Sequence, residues 1–208
     1  MSATLPKPSG SYHHGDLYNS LIAAAAELIQ ESGSMDFAMV DAARRAGVSS
    51  AAPYRHFRDK DALLEAVCEL AFVGLNEAVM EALQGQRAGS MEAIVAIGHA
   101  YRGFVSGKPA FYDLMWGDHG FRAMDEEGLS HKAIGFHLLV ENLHIYLSEH
   151  DIRHIDALNV AGRLWALVHG MSSLTLHNQM QKFLPDVDAC AMLEDTTRAL
   201  LLGLEAQR

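Results

Sequence analysis

The chain has 208 residues, half apolar and a fifth charged, with 16 Lys and Arg against 26 Asp and Glu and a formal net charge of −10. That composition excludes a disordered or fibrous protein and suits one moderate domain or a small module fused to a larger one. No apolar run approaches the ~20 residues of a bilayer-spanning helix, Met1–Gly10 carries no apolar signal core, and Cys68 and Cys190 read as reduced thiols, so a cytoplasmic protein without a membrane partner is expected.

Hydrophobic spacing predicts helix throughout, punctuated by Pro and Gly, with no sustained alternation of period two. The first helix begins near Asp16, carries Leu17, Leu21, Ala24 and Leu28 on one stripe, and stops near Ser32-Gly33-Ser34. A short helix over Met39–Ala46 ends at Gly47, and Ser49 caps a second short helix with Pro53 in its first turn. A long helix starts near Lys60 with Leu63, Leu64, Val67, Leu70 and Ala71 at helical spacing, and it must join the front module to the rest. Further helices are expected from Ser90 to about Gly107, from Pro109 to near Gly117, and at about 130–149, 155–180 and 187–206, with a loop over 117–129.

Charge is partitioned along this string. As an average, −10 argues against a nucleic-acid partner, because phosphates are bound by Lys and Arg. Residues 1–60 are nevertheless neutral, with six basic and six acidic groups, and the whole acid excess lies in 61–208. Arg44–Lys60 holds five cations (Arg44, Arg45, Arg55, Arg58, Lys60) and one anion, Asp59. A run of this size is often only a solvated face, so it takes meaning from its motif.

Two short helices joined by a tight glycine turn form a helix-turn-helix, which presents the N-terminal residues of its second helix to the major groove. Ala42, Ala43 and Ala46 are small enough for close helix contact, Gly47 permits the turn, and Val48 and Phe57 can pack inward. The run from Ala46 to Leu64, Ala-Gly-Val-Ser-x-x-x-x-Tyr-x-His-Phe-x-x-Lys-x-x-Leu-Leu, resembles the signature of the TetR/AcrR family of transcriptional regulators. Tyr12-His13-His14-Gly15-Asp16-Leu17 is similar to the start of the first helix in one branch, and Leu164-Trp165-Ala166-Leu167-Val168-His169-Gly170 to that branch's C-terminal Trp-x-x-x-His-Gly segment.

The resemblance implies an all-α protein: a three-helix DNA-binding domain over residues 1–60 and a larger helical effector-binding and dimerisation domain over 61–208. It places Ser50 and Ala51 at base edges with Ala52 behind them and Ser49 at the cap. Tyr54, His56 and Lys60 fall where phosphates are met, and Arg44, Arg45 and Arg55 add nonspecific attraction. Packing under the helix pair is the alternative for Tyr54, and a local cap that for His56. Two positions depart from the pattern: Ala38 replaces a capping Ser or Thr, and Val40 a common arginine. Ser50-Ala51-Ala52 also offers no long side chain for bidentate base reading, which leaves thymine methyls, DNA shape or the Lys7-bearing arm to supply specificity.

The same resemblance assigns the acidic remainder to a ligand pocket and a dimer seam. Tyr101, Phe104, Phe111, Tyr112, Met115 and Trp116 cluster around Pro109, and His137, Trp165 and His169 lie on helices able to face them; these nine are the candidate ligand residues, with plain core packing as the alternative for each. Met171, Leu174, Leu193, Leu200 and Leu204, with Gly203, are candidates for a homodimer seam. The expected function is a ligand-responsive regulator, most often a repressor in this family, binding a palindromic operator in double-stranded DNA. His150-x-x-x-His154 has metal-ligand spacing but falls at a loop without a third ligand. No His-Glu-x-x-His, Gly-x-Ser-x-Gly or phosphate-cradling glycine loop occurs, so no enzyme activity, metal or cofactor is expected.

Overall fold

A computed structural model describes residues 14–117 and 132–207, with side chains from Leu17 onward, and every regular element among them is helical. The expected loop over 117–129 lies almost wholly outside the described residues. The chain divides into two compact units, Met1–Val67 and Cys68–Arg208.

In the first unit, α1 (His14–Ser32) buries Leu17, Leu21, Ala24, Ala25 and Ile29, one residue row at helical spacing. Helix α2 (Met39–Arg45) buries Met39, Ala42 and Ala43 and packs against α1. Its start lacks the usual cap oxygen, since Ala38 holds the N-cap position. Asp41 supplies the reciprocal half of the box instead, its carboxylate accepting the Ala38 N–H at 2.9 Å. The far end is a complete Schellman motif: Val48 N–H donates to the Ala43 carbonyl at 2.9 Å and Gly47 N–H to that of Arg44 at 3.1 Å. Gly47 has φ +72°, which a side chain would strain.

The second helix of the motif is shorter than its sequence suggests. Residues 50–52 form a turn and a bend, and only Pro53–Arg55 is a 3-10 helix. Proline lacks the N–H that would bond to the Ser49 carbonyl in a first α-turn, so that carbonyl accepts from Ala52 at 2.9 Å and the bonds step on by three, Arg55 to Ala52 and His56 to Pro53. Phe57, 3 % exposed, closes the segment and stacks on Tyr18 with ring centroids 5.0 Å apart. Burying such a ring is worth about 2–3 kcal/mol.

Helix α3 (Lys60–Ala82) runs through the division between the units. Leu63, Leu64, Val67 and Ala71 are buried as expected, but Leu70 is 44 % exposed. In the second unit follow α4 (Met91–Gly107), α5 (Pro109–Trp116), α6 (Ile134–Glu149), α7 (Ala157–Leu176), α8 (Gln179–Phe183) and α9 (Ala189–Glu205). The starts of α4, α7 and α9 are capped by Ser90, Asp156 and Asp188, whose side-chain oxygens accept backbone N–H groups of the first turn. The single helix expected over 155–180 is instead broken at Asn178, whose φ of +54° ends α7 and starts α8.

Helix α7 packs against α4 and α6, and α9 against α4 and α7. Ile94, Leu143, Tyr146, Val160, Leu164 and Leu201 form the centre of this core. The α3–α4 connection is pinned by a buried bond, Gly89 N–H to Asn142 Oδ1 at 2.9 Å. Of the expected dimer-seam residues, Met171, Leu193 and Leu204 are buried within the protomer and Leu174 is exposed. These amphipathic helices turn their apolar rows onto their own core.

Candidate functional site

The first unit exposes a short polar arc around the Gly47 turn. Ser49, Ser50, Ala51 and Arg55 are exposed, and Tyr54 is 61 % exposed. That excludes the reading of Tyr54 as packing under the helix pair. His56 is half-buried with its ring tilted 6.2 Å from Tyr18. Ala52, by contrast, is buried, so it supports the arc from below.

The cations of this segment differ in what already holds them. Arg45 reaches back to α1 with a bidentate pair to Glu31, Nη1–Oε1 2.6 Å and Nη2–Oε2 2.5 Å, and a third contact to Glu27 at 3.3 Å. The Arg45 hydrogen bonds hold the Glu31 carboxyl below its usual range, and those same partners raise the guanidinium. Arg45 thus ties α1 to α2. Arg44 pairs with Asp41 at 3.1 Å while its side chain stays 74 % exposed, and Arg58 pairs with Asp59 at 2.9 Å. The Lys60 ammonium sits 4.8 Å over the Phe37 ring.

The start of α3, expected to attract a phosphate, already holds a carboxylate. Asp59 caps it, Oδ1 accepting the Ala62 N–H at 2.9 Å, and that backbone bond holds its carboxyl below the ordinary aspartate range. An approaching phosphate would therefore meet the Lys60 ammonium rather than a bare helix end.

The second unit holds a partly open cavity of about 310 Å³, at the lower end of small-molecule pockets. Its wall takes Phe72, Asn76 and Val79 from α3, Ile97 and Tyr101 from α4, and Trp116 from α5. Phe136 and Leu139 of α6, Leu164 and Trp165 of α7, and Leu193 of α9 complete most of the rest. Asn76 also accepts the Gly135 N–H at 2.9 Å, fixing the start of α6 beside α3. Of the nine residues expected at a ligand site, Tyr101, Trp116 and Trp165 line this cavity. Phe104, Phe111, Tyr112 and Met115 are buried but do not, His137 is exposed, and His169 stands behind the wall.

His169 organises that second layer. Its Nδ1 lies 2.8 Å from the Tyr101 hydroxyl and its Nε2 3.2 Å from that of Tyr112. Burial pushes the imidazole below its usual value and both phenols above theirs. The ring also contacts Trp116 at 5.1 Å and Trp165 at 5.5 Å, and the two indoles lie 5.6 Å apart. Sequence reasoning missed Phe72, Phe136, Leu193 and Lys132 as wall residues, because nothing local distinguishes them from core or surface positions. Among the described residues, no three His, Cys, Asp or Glu side chains are grouped to hold a metal, and no helix is long and apolar enough to cross a membrane.

Residues 21–67 match the model of the bacterial regulatory proteins of the tetR family, and residues 94–200 that of the tetracyclin repressor-like C-terminal domain. Over 72 residues, 35 % of this chain, the sequence is 42 % identical to the HTH-type transcriptional regulator BetI of Escherichia coli O139:H28; the match spans only 37 % of that relative's length. A solved structure from Rhodococcus sp. RHA1, described as a protein of unknown function, superposes with a TM-score of 0.79 at 26 % identity, covering 95 % of this chain and all of that one. The TetR family transcriptional regulator PfmR of Thermus thermophilus shares the fold, with a TM-score of 0.60 at 21 % identity over 87 % of this chain and 96 % of its own.

Proposed function

The chain belongs to the TetR family of DNA-binding transcriptional regulators, a family that acts by binding and not by catalysis, and on that premise we propose that it is a cytoplasmic repressor released from its operator by a small apolar effector. Residues 1–60 are read as the DNA-binding domain and 61–208 as the effector and dimer domain. The observation that carries the reading is α3 itself. It begins at Lys60, in the cationic segment, and the same helix contributes Phe72, Leu75, Asn76 and Val79 to the cavity wall. An effector that favours one setting of α3 would change DNA affinity only by its differential affinity for the two settings.

Ser50 and Ala51 are read as facing base edges, with Tyr54, His56 and Lys60 on phosphates and Arg44 and Arg55 as nonspecific attraction; the cap expected of Ser49 is not formed, since Ala52 holds the N-cap position of the 3-10 turn. Two such units in a homodimer would reach major grooves about 34 Å apart, so the operator is a palindrome. The dimer seam is assigned to side chains left exposed on the second unit, Leu174, Phe183, Met192 and Leu202. The test is a mobility shift with the purified protein and palindromic fragments from its own upstream region. Retardation at low salt that is lost on adding an apolar ligand supports the proposal; no retardation under any of these conditions overturns it.

A further inference from the structure

The cations of the first unit are held in two different ways. Arg44, Arg45 and Arg58 each lie against a carboxylate, that of Asp41, Glu31 and Asp59 in turn. The Lys60 ammonium lies instead 4.8 Å from the centre of the Phe37 ring, inside the ~6 Å reach of a cation–π contact. A carboxylate offsets charge that a phosphate would otherwise feel. A benzene ring carries no net charge and attracts the ammonium through its quadrupole, so the charge of Lys60 is kept.

Both partners sit on pinned backbone. Phe37 immediately precedes Ala38, the N-cap of α2, and three successive N–H groups fix this stretch. Asp36 donates to Ser34 Oγ at 3.0 Å, Phe37 to the Met35 carbonyl at 3.1 Å, and Ala38 to Asp41 Oδ2 at 2.9 Å. Lys60 opens α3, whose first turn is closed by the Asp59 carboxylate accepting the Ala62 N–H at 2.9 Å. Only the lysine stem between them is flexible, and ordering such a stem on contact subtracts from affinity. A ring that already holds the ammonium meets part of that cost before DNA arrives.

We propose that Phe37 is a positioning residue for DNA binding, its ring holding the Lys60 ammonium at the start of α3 in the setting that meets a phosphate. This rests on the reading of Lys60 as a phosphate contact and adds the residue that aims it.

The probe is a fluorescein-labelled duplex of mixed sequence, about 30 base pairs long, at low salt, where phosphate contacts supply the affinity. In the full chain, Phe37→Leu keeps an apolar side chain and removes the ring; DNA affinity should fall about threefold, the scale of an exposed cation–π contact. Phe37→Tyr, which keeps the ring face, should bind within about 1.5-fold of the natural chain. With Lys60→Ala already in place, Phe37→Leu should change affinity by less than about 1.5-fold, since no ammonium is left to aim. A role in packing alone would lower affinity equally with and without Lys60. Phe37→Met, with a flexible apolar chain, serves where Phe37→Leu does not fold.

A loss that persists in the Lys60→Ala chain, a Phe37→Tyr variant as weak as Phe37→Leu, or tighter binding by Phe37→Leu overturns the proposal. The reading of Lys60 is scored by Lys60→Ala alone. If that change weakens binding and flattens the salt slope by about 0.9 while Phe37→Leu has no effect of its own, the phosphate contact stands and the role of Phe37 falls. If Lys60→Ala alters neither affinity nor slope, both fall.

Discussion

The Tyr101 hydroxyl and His169 Nδ1 lie 2.8 Å apart, and the Tyr112 hydroxyl lies 3.2 Å from the other ring nitrogen, Nε2. A neutral imidazole donates from one nitrogen and accepts at the other, so both hydroxyls can be partnered at once. Tyr101, a cavity-wall side chain, is thereby tied to α7. Replacing Tyr101 by Phe leaves Nδ1 without this partner and should cost about 1–3 kcal/mol in urea unfolding. A smaller loss than in Phe104→Leu, which removes packing alone, would show that the bond contributes little.

The same histidine predicts a pH dependence. Burial lowers the His169 value in the folded chain, while the unfolded chain takes up the proton near the usual pH of about 6.5. Unfolding therefore binds a proton below that pH, so the stabilising contribution is full above it and lost as pH falls through the interval down to the folded value. Other groups titrate as well, so the measurement is a difference. The melting temperature of the natural chain should fall more steeply below pH 6.5 than that of His169→Gln, and parallel curves would remove His169 as the cause.

Arg45 illustrates what local reading of a sequence omits. Its position within a cationic run suggests attraction to phosphate, yet its guanidinium is held by Glu31, fourteen residues earlier on another helix. Arg45→Met should lower the melting temperature, most at low ionic strength, while shifting DNA affinity less than changes at exposed Tyr54. Because Glu31 is held below its usual range, the contribution of the pair is present above the ordinary glutamate range and disappears as pH falls through the lowered value. Loss of DNA affinity in Arg45→Met with an unchanged melting curve would reverse the assignment.

Most helix boundaries were legible because they are set locally. The Ser90 cap, Pro109 after Gly107, and Leu184-Pro185-Asp186 before α9 each act within one turn. What remained hidden depends on packing. Pro53 is compatible with the first turn of an α-helix, and only the bonding from Ser49 onward shows a 3-10 turn in its place. The apolar rows of α7 and α9 could equally face a second copy or their own protomer, and Met171, Leu193 and Leu204 face their own. Lys132 falls within the helix expected from about 130 with no local pattern to mark it, and only the fold places it at the cavity wall. Tyr101, Trp116 and Trp165 were found because aromatic clustering near Pro109 and the Trp165–Gly170 segment were visible without the fold.

The arc proposed to face DNA makes a prediction about salt. Replacing Tyr54 and Lys60 together by Ala removes a hydroxyl on an exposed ring and an ammonium at the start of α3. Affinity should fall by a similar factor for every DNA sequence, since phosphate contacts carry no sequence information. The slope of log affinity against log salt should flatten by about 0.9 for each phosphate no longer neutralised, which here means the one proposed for Lys60. Unchanged affinity in a folded double variant would place the DNA interface elsewhere.

Two glycines of similar backbone conformation separate strain from crowding. Gly85 has φ +78° with nothing within 4 Å of where a Cβ would stand. At Gly89, φ +73°, a Cβ would collide with Ile145 Cγ2 and lie 3.2 Å from the Tyr146 nitrogen. Alanine at position 85 carries only the left-handed penalty, about 1 kcal/mol. At position 89 it must also displace Ile145 of α6, adding about 1–3 kcal/mol of overpacking, and it endangers the buried Gly89–Asn142 bond. Chemical denaturation should therefore rank Gly89→Ala well below Gly85→Ala, and Ile145→Ala should not rescue the former, because the Cβ that alanine keeps at position 145 lies 2.6 Å from the new methyl. Equal losses at the two positions would show that the α3–α4 connection yields, and that Asn142 does not hold it against α6.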